Sequence, residues 1–310
     1  LNNVMPTLAV VTTFPPNRWT TYAKRMIQSH VNYWPNDVKL YAYYEGTKPD
    51  FEHDKVQFVN IEEANPELIA FKSRHRDDPV ANGETREIPG GVRRDPNAGK
   101  NDRGKGSYLW DAVRFAHKTF AVDHGLKTID ADYVLWLDAD TYTFRKINKD
   151  FVTGLLPKNK LVNFLGRGDK YPECGWVCYN KKHPKIEEFM QYWTSLYIRD
   201  TIFEELEWHD SYLFWQCVKR IAPNDGVDIG KGAGAKGHHV FINSVLGAYV
   251  DHMKGKRKVK GKSSKSDLRG DRNEDYWRNV ENYDPFGGVK FDPKQADDIV
   301  SKVAKGKQGN

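Results

Sequence analysis

Two aspartates separated by one alanine, Asp138-Ala139-Asp140, follow directly on the apolar run YVLWL at 133–137. Carboxylates this close repel one another and are costly to keep ionised together without a cation. A hard divalent ion such as Mg²⁺ or Mn²⁺ takes carboxylate oxygens and shares its remaining positions with substrate phosphates. Such an ion neutralises the charge that builds on a departing diphosphate. The pattern alone recurs by chance, and its position directly after an apolar strand makes it more specific.

A second group lies far along the chain, in His252-Met253-Lys254-Gly255-Lys256-Arg257-Lys258. His252 can ligate the same cation, Gly255 lets backbone approach a phosphate, and Lys258 can hold its charge, which together make a pyrophosphate clamp. The plainer reading is a solvated basic loop with an incidental histidine.

These groups need a scaffold. Residues 7–14 (TLAVVTTF) form a β-branched apolar run that Pro15-Pro16 ends, which predicts a buried first strand. Asn17 is a candidate N-cap for a helix carrying Trp19, Tyr22, Met26, Ile27 and Trp34, closed by Pro35. Further strands are expected at 38–44, 56–61, 133–137, 161–165 and 245–250, and helices at 107–122, 186–198 and 211–220. The alternation predicts an α/β fold with a mainly parallel sheet and helical crossovers. In such sheets ligands bind outside the carboxyl ends of the strands, where Asp138 and Asp140 fall. The helix at 107–122 buries Leu109, Ala112, Val113, Ala116 and Phe120, and sets Asp111, Arg114 and Lys118 on another shared face. Residues 74–106 lose all periodicity, which predicts a flexible loop that orders on binding.

The 310 residues, 39% hydrophobic and 13% aromatic, suffice for one elaborated domain or two small ones. No run approaches the roughly 18 apolar residues of a membrane span. No basic leader with an apolar block precedes residue 7, and Met5 is a candidate natural start. Cys174, Cys178 and Cys217 make neither a closed disulfide framework nor a complete zinc set, so reduced thiols and a cytoplasmic location are expected. The net charge of +6 is concentrated at 254–272, where nine Lys/Arg face only Asp267 and Asp271. Such a segment speaks to anionic partners, or is a solvated tail docked by its aromatics.

The two motifs together resemble GT-A glycosyltransferases, specifically the group containing glycogenin and the bacterial lipooligosaccharide galactosyltransferases. That group carries a DxD at the end of a buried strand and a later H-x-x-G-x-x-K, matched here by His252, Gly255 and Lys258 about 110 residues on. The resemblance implies a GT-A (Rossmann-like) fold and a nucleotide-sugar donor such as UDP-hexose. It assigns Asp138, Asp140 and His252 to Mn²⁺ (or Mg²⁺), with Gly255 and Lys258 on the diphosphate. It also assigns Thr12, Thr13 and Phe14 to the nucleotide base, and Lys118, with Arg114 next, to the donor. Glu173, in the stretch 171–175, falls where the group places an acceptor- or sugar-binding loop. Trp208 and His209, just before Asp210, read first as packing at a helix start, with an aromatic face that could stack on a sugar as the acceptor-binding alternative. Asp210 matches an aspartate that contacts the transferred sugar, as a general base if the reaction inverts or an orienting charge if it retains. The group follows that aspartate with Gln, whereas Ser211 stands here.

The expected organisation is a single GT-A domain at 1–258 with a basic, partly ordered extension at 259–310. The acceptor on this reading is a glycan, lipid or protein. Two alternatives are a transferase acting on modified bases of DNA, whose binding would weaken steeply with salt, and a non-catalytic nucleotide-sugar or polyanion-binding module. A triphosphate-binding glycine loop, as a nucleotidyltransferase would need, does not follow the first strand.

Overall fold

The computed structural model describes residues 4–84, 108–168, 170–234 and 239–278. Its strands are β1 (Leu8–Phe14), β2 (Lys39–Tyr44), β3 (Val56–Asn60), β4 (Tyr133–Leu137), β5 (Thr141–Thr143), β6 (Val162–Arg167), β7 (Lys170–Glu173), β8 (Trp176–Asn180), β9 (Gly226–Asp228) and β10 (Val250–His252). The helices are α1 (Lys24–Tyr33), α2 (Ile61–Ala64), α3 (Pro66–Arg74), α4 (Ala112–Thr128), α5 (Lys149–Gly154), α6 (Ile186–Ile198), α7 (Asp210–Ile221), α8 (Val240–Asn243), α9 (Arg257–Lys260) and α10 (Asp275–Arg278).

The main sheet runs β3-β2-β1-β4-β8-β6-β7, with β9 also paired to β6. β3, β2, β1 and β4 are mutually parallel, β9 is parallel to β6, and β8 and β7 run the other way. The result is a mixed α/β fold with a mostly parallel central sheet flanked by helices. Side-chain alternation divides the core in two. Ala9, Val11, Val134 and Trp136 face a layer holding α3, α4, α6 and α7. Leu8, Val10, Leu135 and Leu137 face the layer of α1, α5 and α8. Burial on both faces explains why β1 and β4 read as unbroken apolar runs.

β10 pairs antiparallel with β5 in a separate two-stranded sheet, setting His252 opposite Thr141. Met253 N–H donates to Asp140 O at 3.0 Å, extending the pairing to the aspartate pair. That register carries His252 to the Asp138–Asp140 turn.

Several boundaries differ from the sequence expectation for local reasons. Residues 245–250 do not form one strand: Ser244 Oγ accepts from Leu246 N–H and caps a short 3₁₀ turn, Val245–Ala248, before β10. Asn17 is no helix cap, since it lies inside the 3₁₀ turn Pro16–Arg18, and a π turn at Trp19–Ala23 leads into α1. The long helix starts after Asp111, whose carboxylate caps Arg114 N–H, and runs on to Thr128. β7, which contains Pro172, is tolerated because it pairs on one side only.

The basic segment is largely committed to the protein itself. Arg257 binds Asp267, Arg272 pairs with Glu274 at 2.7 Å, and Lys262 donates to Tyr276 O. Tyr276 and Trp277 are buried, with Tyr276 Oη donating to Asp251 at 2.6 Å and Trp277 Nε1 to Gly247 O at 2.7 Å. All three cysteines are buried and unpaired. Among the described residues no helix is long and apolar enough to cross a membrane. The expected loop beyond residue 84 and the chain beyond residue 278 lie outside the described residues.

Candidate active site

Chain direction puts the carboxyl ends of β1, β2 and β4 along one edge of the sheet, and a cleft of about 470 Å³ opens there. β1 contributes Thr13 and Phe14, the turn after β2 contributes Glu45, and the turn after β4 contributes Asp138 and Asp140. Arg114 and Lys118 reach it from α4, Asp210 from the start of α7, and Lys258 from α9.

Asp138, Asp140 and His252 each offer one ligand atom, and these atoms lie within 4.8 Å of one another. His252 Nε2 is 3.0 Å from Asp140 Oδ1 and 3.4 Å from Asp138 Oδ2. Asp140 Oδ1 is buried with His252 Nε2 as its near neighbour and has no well-aligned hydrogen-bond partner among the described residues. Ligand atoms that converge on a point without bonding one another suit a cation between them. On its other side, His252 Nδ1 faces Glu173 Oε2 at 3.2 Å, which fixes the ring and directs Nε2 toward the aspartates. Without a cation, burial works against a charged His252, but Glu173 and Asp140 outweigh it and hold its pKa well above the ordinary value. Burial alone would raise the Asp140 carboxyl, yet His252 and Lys258 hold it low. Two carboxylates and an oriented imidazole form a donor set that fits Mn²⁺ or Mg²⁺.

A second charge system adjoins the first. Lys118 is 6% exposed although its neighbour Arg114, one turn earlier on α4, is exposed. Its Nζ donates to Asp210 Oδ2 at 2.6 Å, to Cys174 O at 2.7 Å and to Asp138 Oδ1 at 3.4 Å, and lies 4.8 Å from the centre of the Trp136 ring. Burial opposes the ammonium charge, but Asp138 and Asp210 override it and raise its pKa. Burial likewise opposes the Asp210 carboxylate, while Lys118 and His209 hold its pKa below the ordinary value. The pair is therefore fixed as cation and anion. Lys258 Nζ lies 3.1 Å from Asp140 Oδ2 and 5.2 Å from the centre of the Tyr22 ring. Gly255 adopts φ +56°, the left-handed conformation that joins β10 to α9.

Other sequence assignments do not meet the cleft. Thr12 is fully buried, whereas Thr13 lines the cleft and its Oγ1 donates to Tyr43 O at 2.9 Å. Glu173, expected toward an acceptor, is 4% exposed and commits its oxygens to Gly175 N–H and His252. Trp208, expected to offer a stacking face, is buried against Trp110 and Phe203, with Nε1 donating to Glu205 O. His209 is buried beside Glu207 among the rings of Tyr108, Phe115 and Tyr171. Sequence reasoning missed Arg18, Tyr22, Trp136 and Glu45, all of which line the cleft. Arg18 stands four residues past Phe14, and that proximity to a strand end was an available signal. Glu45, directly after β2, was available on the same ground.

No protein-family profile and no curated protein matches the chain. Among solved structures it is similar to mouse xyloside xylosyltransferase 1 at 10% identity and TM-score 0.41, covering 71% of this chain and 84% of that one. The bifunctional glycosyltransferase WbbM matches at 11% identity and TM-score 0.41, covering 74% of this chain and 40% of that one. A glycosyltransferase involved in glycosylation of the major capsid of PBCV-1 matches at 14% identity and TM-score 0.40, covering 82% and 97%.

Proposed function

We propose that this chain is a metal-dependent glycosyltransferase of the GT-A kind, moving a hexosyl group from a nucleotide diphosphate, most simply UDP, to an acceptor hydroxyl. The convergence of Asp138, Asp140 and His252 at the edge of a parallel-sheet cleft carries the proposal. In this reading those three residues hold Mn²⁺ or Mg²⁺, and the ion supplies the positive charge that stabilises the diphosphate leaving group. Lys258 adds a second positive charge beside it. Thr13 and Phe14 border the space for the base, and Arg114 is the exposed cation of the same wall.

Asp210 and Lys118 act as fixed charges. A carboxylate bonded to a buried ammonium takes up a proton poorly, which argues against Asp210 as the general base. Its negative charge suits orientation of the sugar and stabilisation of the positive charge that develops as the leaving group departs. The nucleic-acid alternative is weaker, because Arg257, Arg272 and Lys262 of the basic segment already have protein partners. A non-catalytic binder has no need of the Lys118–Asp210 pair beside the metal ligands.

The test is release of free nucleotide diphosphate from UDP-, GDP- and TDP-sugars, with Mn²⁺ and with chelator. Slow metal-dependent release from one donor is expected even without an acceptor. No release, and no metal-dependent binding of any donor, would sink the proposal.

A further inference from the structure

We propose that a cationic cavity adjoining the metal-ligand group is a separate site for a phosphoryl group, carried by the acceptor as a phosphomonoester. A cavity of about 230 Å³ is bordered by Arg167 at the end of β6, Lys170 on β7, Lys254, Arg257, Asp267 and His239. Four of these side chains are permanent cations and one is a carboxylate. Arg257 is committed to Asp267 by two hydrogen bonds. Arg167 donates to the carbonyls of Tyr171 at 2.6 Å and Pro172 at 3.5 Å, which orients its guanidinium, and it makes no ion pair among the described residues. Lys170 and Lys254 make no hydrogen bond or direct ion pair among the described residues, although Lys254 lies near enough to Glu173 to act on its charge. Glu173 offsets part of the Lys254 charge, but its oxygens are taken by Gly175 and His252.

With Arg257 and Asp267 counted as a paired couple, Arg167 and Lys170 from the β6–β7 hairpin and Lys254 after β10 leave the concavity net positive, and a concave surface focuses such a potential. A phosphoryl group offers three acceptor oxygens and up to two charges, matching that arrangement better than a carboxylate with two oxygens. Gly234 helps to keep the space open. A Cβ there would stand 3.1 Å from Val240 Cβ and 3.5 Å from Arg167 Cγ.

The cavity shares a wall with the metal-ligand group. His239 lines it, approaches His252 O with Nε2 at 2.9 Å, and has its ring centre 5.4 Å from that of His252. A phosphoryl group bound there would hold its carrier beside the proposed transfer site. Calling that carrier an acceptor rests on the transferase reading, whereas the existence of the anion site does not.

Inorganic phosphate and methyl phosphate would be titrated calorimetrically, with chelator present, into wild type, Lys258→Ala and the double variant Lys170→Ala/Lys254→Ala. Wild type and Lys258→Ala should bind both probes, and the double variant should bind about 100-fold more weakly while remaining folded by circular dichroism. Lys170→Glu alone, at an exposed position, should shift affinity the same way without touching the core. Affinity kept in the double variant and lost in Lys258→Ala would assign the phosphate to the donor cleft and overturn the inference. No binding by wild type, or binding of inorganic phosphate without methyl phosphate, would overturn it as well. Failure of the transferase reading shows separately, as absent metal-dependent nucleotide release from wild type.

Discussion

His252 Nδ1 faces Glu173 Oε2 at 3.2 Å, and the two buried side chains press against a glycine where a Cβ would come within 2.7 Å of both. The contact favours glycine at 175, because any larger residue would have to displace the Glu173 carboxylate or the His252 ring. It also makes Glu173 the group that aims the imidazole.

Glu173→Gln keeps the shape and removes the charge. Mn²⁺ affinity, followed by the electron paramagnetic resonance of the free ion, should fall about 10- to 100-fold. Undiminished affinity would remove Glu173 from any part in metal binding.

Asp140→Ala should abolish metal-dependent nucleotide release while leaving the circular dichroism spectrum unchanged. Retained full activity would sink the metal-site assignment.

Replacing Lys118 by Met strands two carboxylates, Asp210 at 2.6 Å and Asp138 at 3.4 Å, in largely buried positions. Breaking a buried pair from one side costs about 3–5 kcal/mol, which urea unfolding would read directly. Restoring the balance with Asp210→Asn in the same chain should recover part of that loss. Activity should return in neither variant.

Lys258→Ala should chiefly weaken donor binding, by roughly the 1.5–3 kcal/mol typical of a charged hydrogen bond. Isothermal titration with UDP and Mn²⁺ measures it, and an unchanged affinity would count against the clamp.

The C-terminal segment should loosen in acid. Burial would raise the Asp267 carboxyl, but Arg257 and the Ser264 N–H hold it below its usual value. A carboxyl depressed in the folded state contributes stability that is full above its unfolded value, about pH 4, and fades as pH falls through the folded value. The stability difference between wild type and Asp267→Asn should therefore be constant from neutral pH down to about pH 5 and shrink below it. A difference independent of pH throughout would mean that the Arg257 pair contributes no linked stability.

The central strands were legible because β1 and β4 are buried on both faces and so read as continuous apolar runs. Asp138 and Asp140 were legible because they end one of those strands. His252 was legible only through a motif, since the β5–β10 register that delivers it leaves no local pattern in either strand. Lys118 was singled out with Arg114 for the donor side through the family resemblance, since its helical spacing alone fits a solvated face equally well; it lines the cleft, but buried rather than exposed, because α4 packs beneath the cleft wall there. Glu173 was assigned outward from position alone, whereas the packing reading of Trp208 matches its burial. The burial of Glu173 depends on how the end of β7 packs against β10, which its sequence neighbours do not encode.

The β5–β10 pairing also sets an order of events during synthesis. A ribosome delivers Asp138 and Asp140 well over a hundred residues before Lys258, and β5 has no partner until β10 has emerged. A nascent chain stopped between Asp140 and His252 carries two of the three proposed ligands and lacks the histidine that would complete them. On the proposed reading, cation capture is thus a late step in the life of the polypeptide, gated by translation, and a product truncated before His252 should neither bind the ion nor turn over a donor.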